Sequence, residues 1–246
     1  ERTTFTVGFD AEYPPYGYMD ENGEYTGFDL ELAQAVCDLK GWELVKTPIN
    51  WDSKDMELNS GSIDCIWNGF TIDGREDDYT WSQPYVDNSQ VMVVSENSGI
   101  NSLSDLAGKT VGVQAASAAL DLLQSEEEGG QKGLADTFAA LQQFPDYNNA
   151  FVELQAGSID AVAMDIGVAK YQLESRGEGY KILDEHLNSE KYAIGFKLGN
   201  EELRDTVDDA MDQLVADGTF AKLAEKYELT DMVCLGTDEG ETETET

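Results

Sequence analysis

At 246 residues the chain can form one large domain or two small ones, and 41% hydrophobic with 10% aromatic residues is the make-up of a globular protein with a real core. A net charge of −35 argues against nucleic acid or anionic lipid as a partner, because both need a basic patch. No apolar run approaches the roughly 18 residues that span a membrane, and no leader segment is visible, so Glu1 is expected to begin a mature or truncated chain.

Phe5–Phe9 reads as a first strand ending at Asp10, followed by a rigid aromatic loop to Tyr18 in which two prolines restrict the backbone. Asn22-Gly23 is a hairpin-turn signal. Asp20, Asn22, Glu24 and Glu31 fall at calcium-ligand offsets, but Tyr25 stands where such a loop needs glycine, which favours the hairpin. Gly27–Leu39 carries a helical apolar stripe, Trp42–Pro48 reads as a strand, and Asn50-Trp51-Asp52 enters a helix to Asn59. The Gly61 turn leads to a short strand, Cys65–Trp67, and then to a polar loop, Asn68–Arg75. Strand, helix, strand, helix, strand is the signature of a parallel, doubly wound sheet.

Gln90–Ser95 reads as a strand carrying the chain into a second lobe. There Leu103–Gly108 is a short helix, and the strand Thr110–Val113 opens onto a helix over Gln114–Leu123, capped at or near Ser117. Ser125–Gly133 is a surface loop and Phe138–Phe144 a strand-like or irregular connector. A helix over Asn148–Gly157 precedes the strand Ala161–Ala163, which ends at Met164-Asp165, and Gly167–Arg176 is a further helix. Tyr192–Phe196 is a strand expected to return to the first lobe, and the helices Glu201–Ala216 and Thr219–Tyr227 close the fold. The acidic text beyond Met232 reads as disordered.

Two echoes reveal a repeat. LNSGSID at Leu58–Asp64 returns as LQAGSID at Leu154–Asp160, and Thr6-Val7-Gly8 returns as Thr110-Val111-Gly112. Self-similarity at a period near a hundred residues means two related lobes. In doubly wound sheets ligands bind beyond the carboxyl ends of the strands, which gathers Asp10, Tyr13, Trp51, Asn68, Gly69, Thr71, Arg75, Gln114, Ser117, Ala118 and Asp165. Arg75 offers a planar fork for a carboxylate, and the helix start at Ser117 offers N–H groups. Asp165, with Asp10, suits an ammonium, and Tyr13 and Trp51 supply aromatic walls. A zwitterion with a side chain, an α-amino acid, satisfies the set. Catalysis fits poorly: His186 is the only histidine and has no paired nucleophile, and no cofactor or metal motif occurs. Cys37, Cys65 and Cys234 form no metal-ligand spacing; Cys37 and Cys65 are expected to pack as small apolar residues, with a disulfide between them left open.

The segments VGFDAEYPPYGY, Gly27-Phe28-Asp29, LNSGSIDCIWNGFTI, Arg75, Trp81–Tyr85, LAGKTVGV, LQAGSIDAVAMD and LVADGTF together resemble the bacterial family 3 extracellular solute-binding proteins of polar-amino-acid ABC transporters, over residues 4 to 228. The resemblance implies an α/β, type II periplasmic-binding-protein fold. It would have two doubly wound lobes, two crossover strands and a cleft between them that closes by hinge motion. The lobes would be 1–89 with 190–232, and 90–189, leaving 233–246 as a tail. It further implies that Arg75, Thr71, Ser117 and Ala118 hold the ligand α-carboxylate, that Asp165 and the Gly69 carbonyl hold the α-ammonium, and that Asp10, Tyr13, Trp51, Asn68 and Gln114 shape the side-chain pocket. Asp10, Glu12 and the aromatic wall lean toward a cationic ligand, with glutamine or cystine next. The implied partners are an amino acid and the transmembrane subunits of a permease, with the protein itself a monomer, periplasmic or lipid-anchored outside the membrane. A ligand-sensing receptor domain and an amino-acid-like dehydratase are the alternatives that the same fold admits.

Overall fold

The computed structural model describes residues 1–236, so ten of the fourteen residues of the expected tail, 237–246, lie outside the described residues. The chain divides into two compact units: Glu1–Ala11, Pro15–Asp87 and everything described from Glu190 on, and Glu12–Pro14 with Asn88–Ser189.

The first unit is built on a mixed sheet in which strands run in the order Glu43–Pro48, Thr4–Phe9, Cys65–Thr71, Glu190–Phe196, Thr80–Trp81. The first three are parallel, as the strand–helix alternation predicts, while Glu190–Phe196 enters antiparallel. The helix Phe28–Lys40 buries Phe28, Leu32, Val36 and Cys37 against this sheet and ends at Gly41 in the left-handed region. The expected hairpin is present, pairing Tyr18 with Thr26 and Met19 with Tyr25.

The second unit repeats the plan with the order Ala140–Phe144, Thr110–Gln114, Ala161–Asp165, Gln90–Ser95, Tyr180–Ile182, again three parallel strands followed by antiparallel ones. Phe138–Phe144 is thus resolved as a connector followed by a strand from Ala140. Met92, Leu106, Val111, Val113, Leu120, Leu123 and Ala163 form its core.

The sequence repeat has a physical cause. In each unit the Gly-Ser-Ile-Asp turn docks on the Thr-Val-Gly strand. Thr6 N–H donates to the Asp64 carboxylate at 2.7 Å while Asp64 N–H donates to Thr6 O at 2.8 Å. Thr110 and Asp160 make the same pair at 2.9 and 2.8 Å. The isoleucine then lies over the glycine: a β-carbon on Gly8 would sit 2.4 Å from Ile63 Cδ1, and one on Gly112 2.7 Å from Ile159 Cδ1. Each motif is a lock between parallel strands that are neighbours in the sheet.

Three expectations need correction. The polar loop at Asn68 is not a loop: the strand runs on through Thr71 with all seven residues buried, because Glu190–Phe196 pairs Tyr192 with Thr71 and Ala193 with Phe70 and satisfies its backbone. The helix does not begin at Gln114; that residue ends its strand, and the helix is Ala118–Gln124 with Ser117 as its N-cap. The part of the expected tail that is described is ordered: Val233 bridges Val86, and Cys234 N–H donates to Tyr85 O at 3.1 Å. Cys37 and Cys65 are buried free thiols, and burial pushes Cys37 up to about 12 and Cys65 well above its ordinary range.

Candidate functional site

In the first unit the Phe70 ring organises the neighbourhood. The Arg75 guanidinium lies 5.1 Å from its centroid, and Trp51 meets it edge-on at 5.3 Å. Tyr79 and Trp81 close the cluster at 5.0 and 4.9 Å. Arg75 is buried, with Nη1 donating to Thr71 O at 3.1 Å, while a turn bonds its N–H to Ile72 O and its carbonyl accepts Trp81 Nε1–H at 3.0 Å. A guanidinium fixed by its backbone and by an aromatic face is preorganised for a planar anion.

Thr71 has a partner within its own unit. Its hydroxyl donates to Glu190 Oε1 at 2.9 Å, and Glu190 is itself buried. Glu190 is a buried carboxylate beside the candidate site that sequence reasoning missed. Asn68 and Asp10 are both buried; a β-carbon on Gly17 would fall 2.7 Å from Asn68 Oδ1 and 3.4 Å from Asp10 O, so the Asp10–Gly17 loop packs directly on Asn68. Gly69 bends the strand with a φ of 54°. Lys54 was also missed: it is buried, its Nζ lies 5.1 Å over the Trp51 ring, and it donates to Trp51 O at 3.3 Å.

In the second unit Asp165 closes its strand and is buried, with Oδ2 accepting from Asn88 Nδ2 at 2.9 Å and Gln90 Nε2 at 3.2 Å. Gln90 is its cross-strand partner, and a period-2 reading of Gln90–Ser95 against Ala161–Asp165 is the signal that could have found that contact. Two amide donors hold the carboxylate in place at the strand end. Gln114 ends the neighbouring parallel strand, and Ser117 and Ala118 follow it. Gln114 is buried and donates from Nε2 to Pro145 O at 3.2 Å. The Ser117 hydroxyl donates to Gln114 O at 2.7 Å and accepts from Leu120 N–H at 3.1 Å, so it caps the helix that begins at Ala118. Ala116 just before it adopts a φ of 56°. Tyr13 is buried in this unit with its ring 6.3 Å from Tyr147, and Glu12 accepts a hydrogen bond from Asn148 Nδ2.

Among the described residues no cluster of His, Cys, Asp and Glu could hold a metal ion, and no helix is long and apolar enough to cross a membrane. Two related α/β units, one ending its site strand near a buried guanidinium and the other on a buried carboxylate, are the frame of a solute-binding protein. Residues 5–230 match the family model for bacterial extracellular solute-binding proteins, family 3, and the chain belongs to that family. It is 30% identical over 230 residues to the L-cystine-binding protein TcyJ of Escherichia coli strain K12, covering 92% of this chain and 83% of that protein. Among solved structures it is similar to a substrate-binding protein of an ABC uptake transporter from Streptococcus pneumoniae with bound histidine, at 33% identity and a TM-score of 0.86, covering 91% and 92% of the two chains. An ancestral arginine-binding protein bound to arginine shares 36% identity with a TM-score of 0.82, covering 92% and 98%. The family and these relatives are solute-binding proteins, and the α/β type II periplasmic-binding fold is the one the sequence motifs imply.

Proposed function

We propose that this protein is the amino-acid receptor of an ABC importer, working outside the cytoplasmic membrane and delivering its ligand to the permease's transmembrane subunits. One observation carries the reading: strand ends of the two repeated units carry buried groups of opposite charge, Arg75 in the first and Asp165 in the second. A zwitterionic α-amino acid is complementary to that pair. Arg75 takes the α-carboxylate with backbone N–H help near Ala118, and Asp165 takes the α-ammonium with the Gly69 carbonyl. The relatives' bound or named ligands, cystine, histidine and arginine, all share the α-amino-acid head group.

The side chain falls to Asp10, Tyr13, Asn68, Trp51 and Gln114. Because Lys54 already lies over Trp51, a cation on that ring face meets like charge, which leaves Asp10 as the anionic partner of a donor-bearing side chain. We read the ligand as arginine or histidine first and glutamine next, with cystine after them. A thermal-shift screen against all twenty amino acids, cystine and ornithine tests this, since a ligand of the folded state raises the melting temperature by about RT ln(1 + [L]/Kd) in stability. A shift with arginine, histidine or ornithine supports the full reading. A shift with cystine alone keeps the receptor and overturns the side-chain assignment. No shift overturns the amino-acid reading.

A further inference from the structure

Asp29 is a wholly buried carboxylate on the helix Phe28–Lys40, and none of the ligand contacts proposed for this protein involves it. Its placement begins at Gly27, where a β-carbon would lie 2.3 Å from Tyr16 O. Glycine there lets the helix start press onto the preceding loop, so that Phe28 N–H donates to Pro15 O at 2.8 Å and Asp29 N–H to Tyr16 O at 3.2 Å. Seated in this way, the Asp29 side chain reaches the strand Cys65–Thr71. Its Oδ2 accepts Gly69 N–H at 2.5 Å, and its Oδ1 accepts the Tyr85 hydroxyl at 2.7 Å.

A hydrogen bond to Gly69 N–H fixes the Asn68–Gly69 peptide, and the pairing of Phe70 with Ala193 holds the next one, which carries the Gly69 carbonyl; Gly69, with φ at 54°, is pinned between the two. We propose that Asp29 is a positioning residue for ligand recognition: through Gly69 it aims the carbonyl that receives the α-ammonium, and its ionised form adds attraction for that ammonium. The inference rests on the assignment of Gly69 under the proposed function. A buried carboxylate is a costly way to accept one N–H and one hydroxyl, both of which neutral acceptors would satisfy. Its charge gives it a second effect that a neutral acceptor lacks.

That effect is readable as pH dependence. Burial raises Asp29 to about 7, against the lowering influence of Tyr85, Gly69 and Trp67. The titratable groups facing it are Tyr85, from the segment after Trp81, and Cys65, from the neighbouring strand. Tyr16, from the aromatic loop, lies beyond Tyr85. Burial pushes both Tyr85 and Cys65 well above their ordinary ranges, so both stay protonated where Asp29 titrates. A ligand ammonium favours the ionised carboxylate, so by linkage ligand affinity rises as pH climbs through the range in which Asp29 ionises.

The test is isothermal titration of wild type, Asp29→Asn and Asp29→Ala with L-arginine and L-glutamine at pH 6 and pH 8, each protein checked for folding by circular dichroism. Both amino acids keep one charge state across that range. Wild type is expected to gain roughly three- to tenfold in affinity between the two pH values. Asp29→Asn, which keeps an acceptor for Gly69, is expected to stay within about threefold of wild type at pH 6 and to show no gain at pH 8. Asp29→Ala is expected to lose about tenfold or more at both. An Asp29→Asn protein with the wild-type pH gain, or a folded Asp29→Ala protein with wild-type affinity, overturns the inference. Wild type that binds neither amino acid overturns the ligand assignment, and the inference falls with it.

Discussion

In the first unit Asp64 folds back on Thr6 and Ile63 covers Gly8; in the second Asp160 folds back on Thr110 and Ile159 covers Gly112. Up to the end of the site strand the two units solve one packing problem in one way. They part at the next residues. The first strand runs on through Asn68, Gly69 and Thr71 beside an antiparallel partner and delivers Arg75 beyond its end. The second stops at Asp165, which leads directly into the helix Ile166–Arg176. A repeated scaffold thus carries opposite charges, and the difference lies in the residues just past the lock. The helices differ in the same sense: the first begins Phe28-Asp29 with its carboxylate buried, whereas the second begins Ala118-Ala119.

The largest expected effects break the charge pair. Arg75→Ala should weaken binding of every amino acid bound by wild type by about a hundredfold or more, as expected when one member of a desolvated charge contact is removed. Asp165→Asn should cost at least about tenfold in the same titration, and should do so for all ligands alike, since both groups are assigned to the shared head group. A loss confined to one side chain in either variant would break the proposed division of labour.

Smaller effects test the likeness. Gly8→Ala and Gly112→Ala each drive a β-carbon into an isoleucine and should destabilise by about 1–3 kcal/mol in urea unfolding. Adding Ile63→Val to the first, or Ile159→Val to the second, removes the clashing Cδ1 and should recover part of the loss. Asp64→Ala and Asp160→Ala should each cost about 1–3 kcal/mol by leaving a strand N–H without its acceptor. The exposed Arg2–Asp64 ion pair at 3.1 Å adds little to that difference.

The last prediction sharpens the contrast through Asp29. Its folded-state value, about 7, lies above the ordinary 3.8, so the folded protein holds that proton more tightly than the unfolded chain does. The stability it contributes is complete below about pH 4 and is lost as pH rises through about 7. Asp208, raised by burial to about 6, acts in the same direction over a lower window. Urea unfolding from pH 5 to pH 8 should show wild type losing stability by on the order of 2–3 kcal/mol more than Asp29→Asn does. An equal slope in the two proteins would show that Asp29 does not titrate in that window.

Much of this molecule comes from local rules that the chain carries openly. Apolar periodicity marks the helices, turn glycines mark their ends, and the paired Thr-Val-Gly and Gly-Ser-Ile-Asp motifs disclose two units from the residues alone. Arg75 and Asp165 are legible for the same reason, since strand ends in such sheets are where polar side chains collect. What the sequence could not disclose depends on partners distant in the chain. Asn68–Thr71 reads as a loop because its polar residues look exposed, and Glu190–Phe196, over a hundred residues on, together with Asp29 supplies the hydrogen bonds that make it a buried strand. The same strand brings Glu190 to the Thr71 hydroxyl, and Asn88 and Gln90 hold Asp165 from around the start of a strand whose pairing partner the sequence does not name. Asp29 and Lys54 look like solvated helix charges until the opposing elements close over them. Periodicity fixes which face of an element is apolar, but a buried polar group is stable only where another segment supplies its hydrogen bonds, and that is decided when the elements pack.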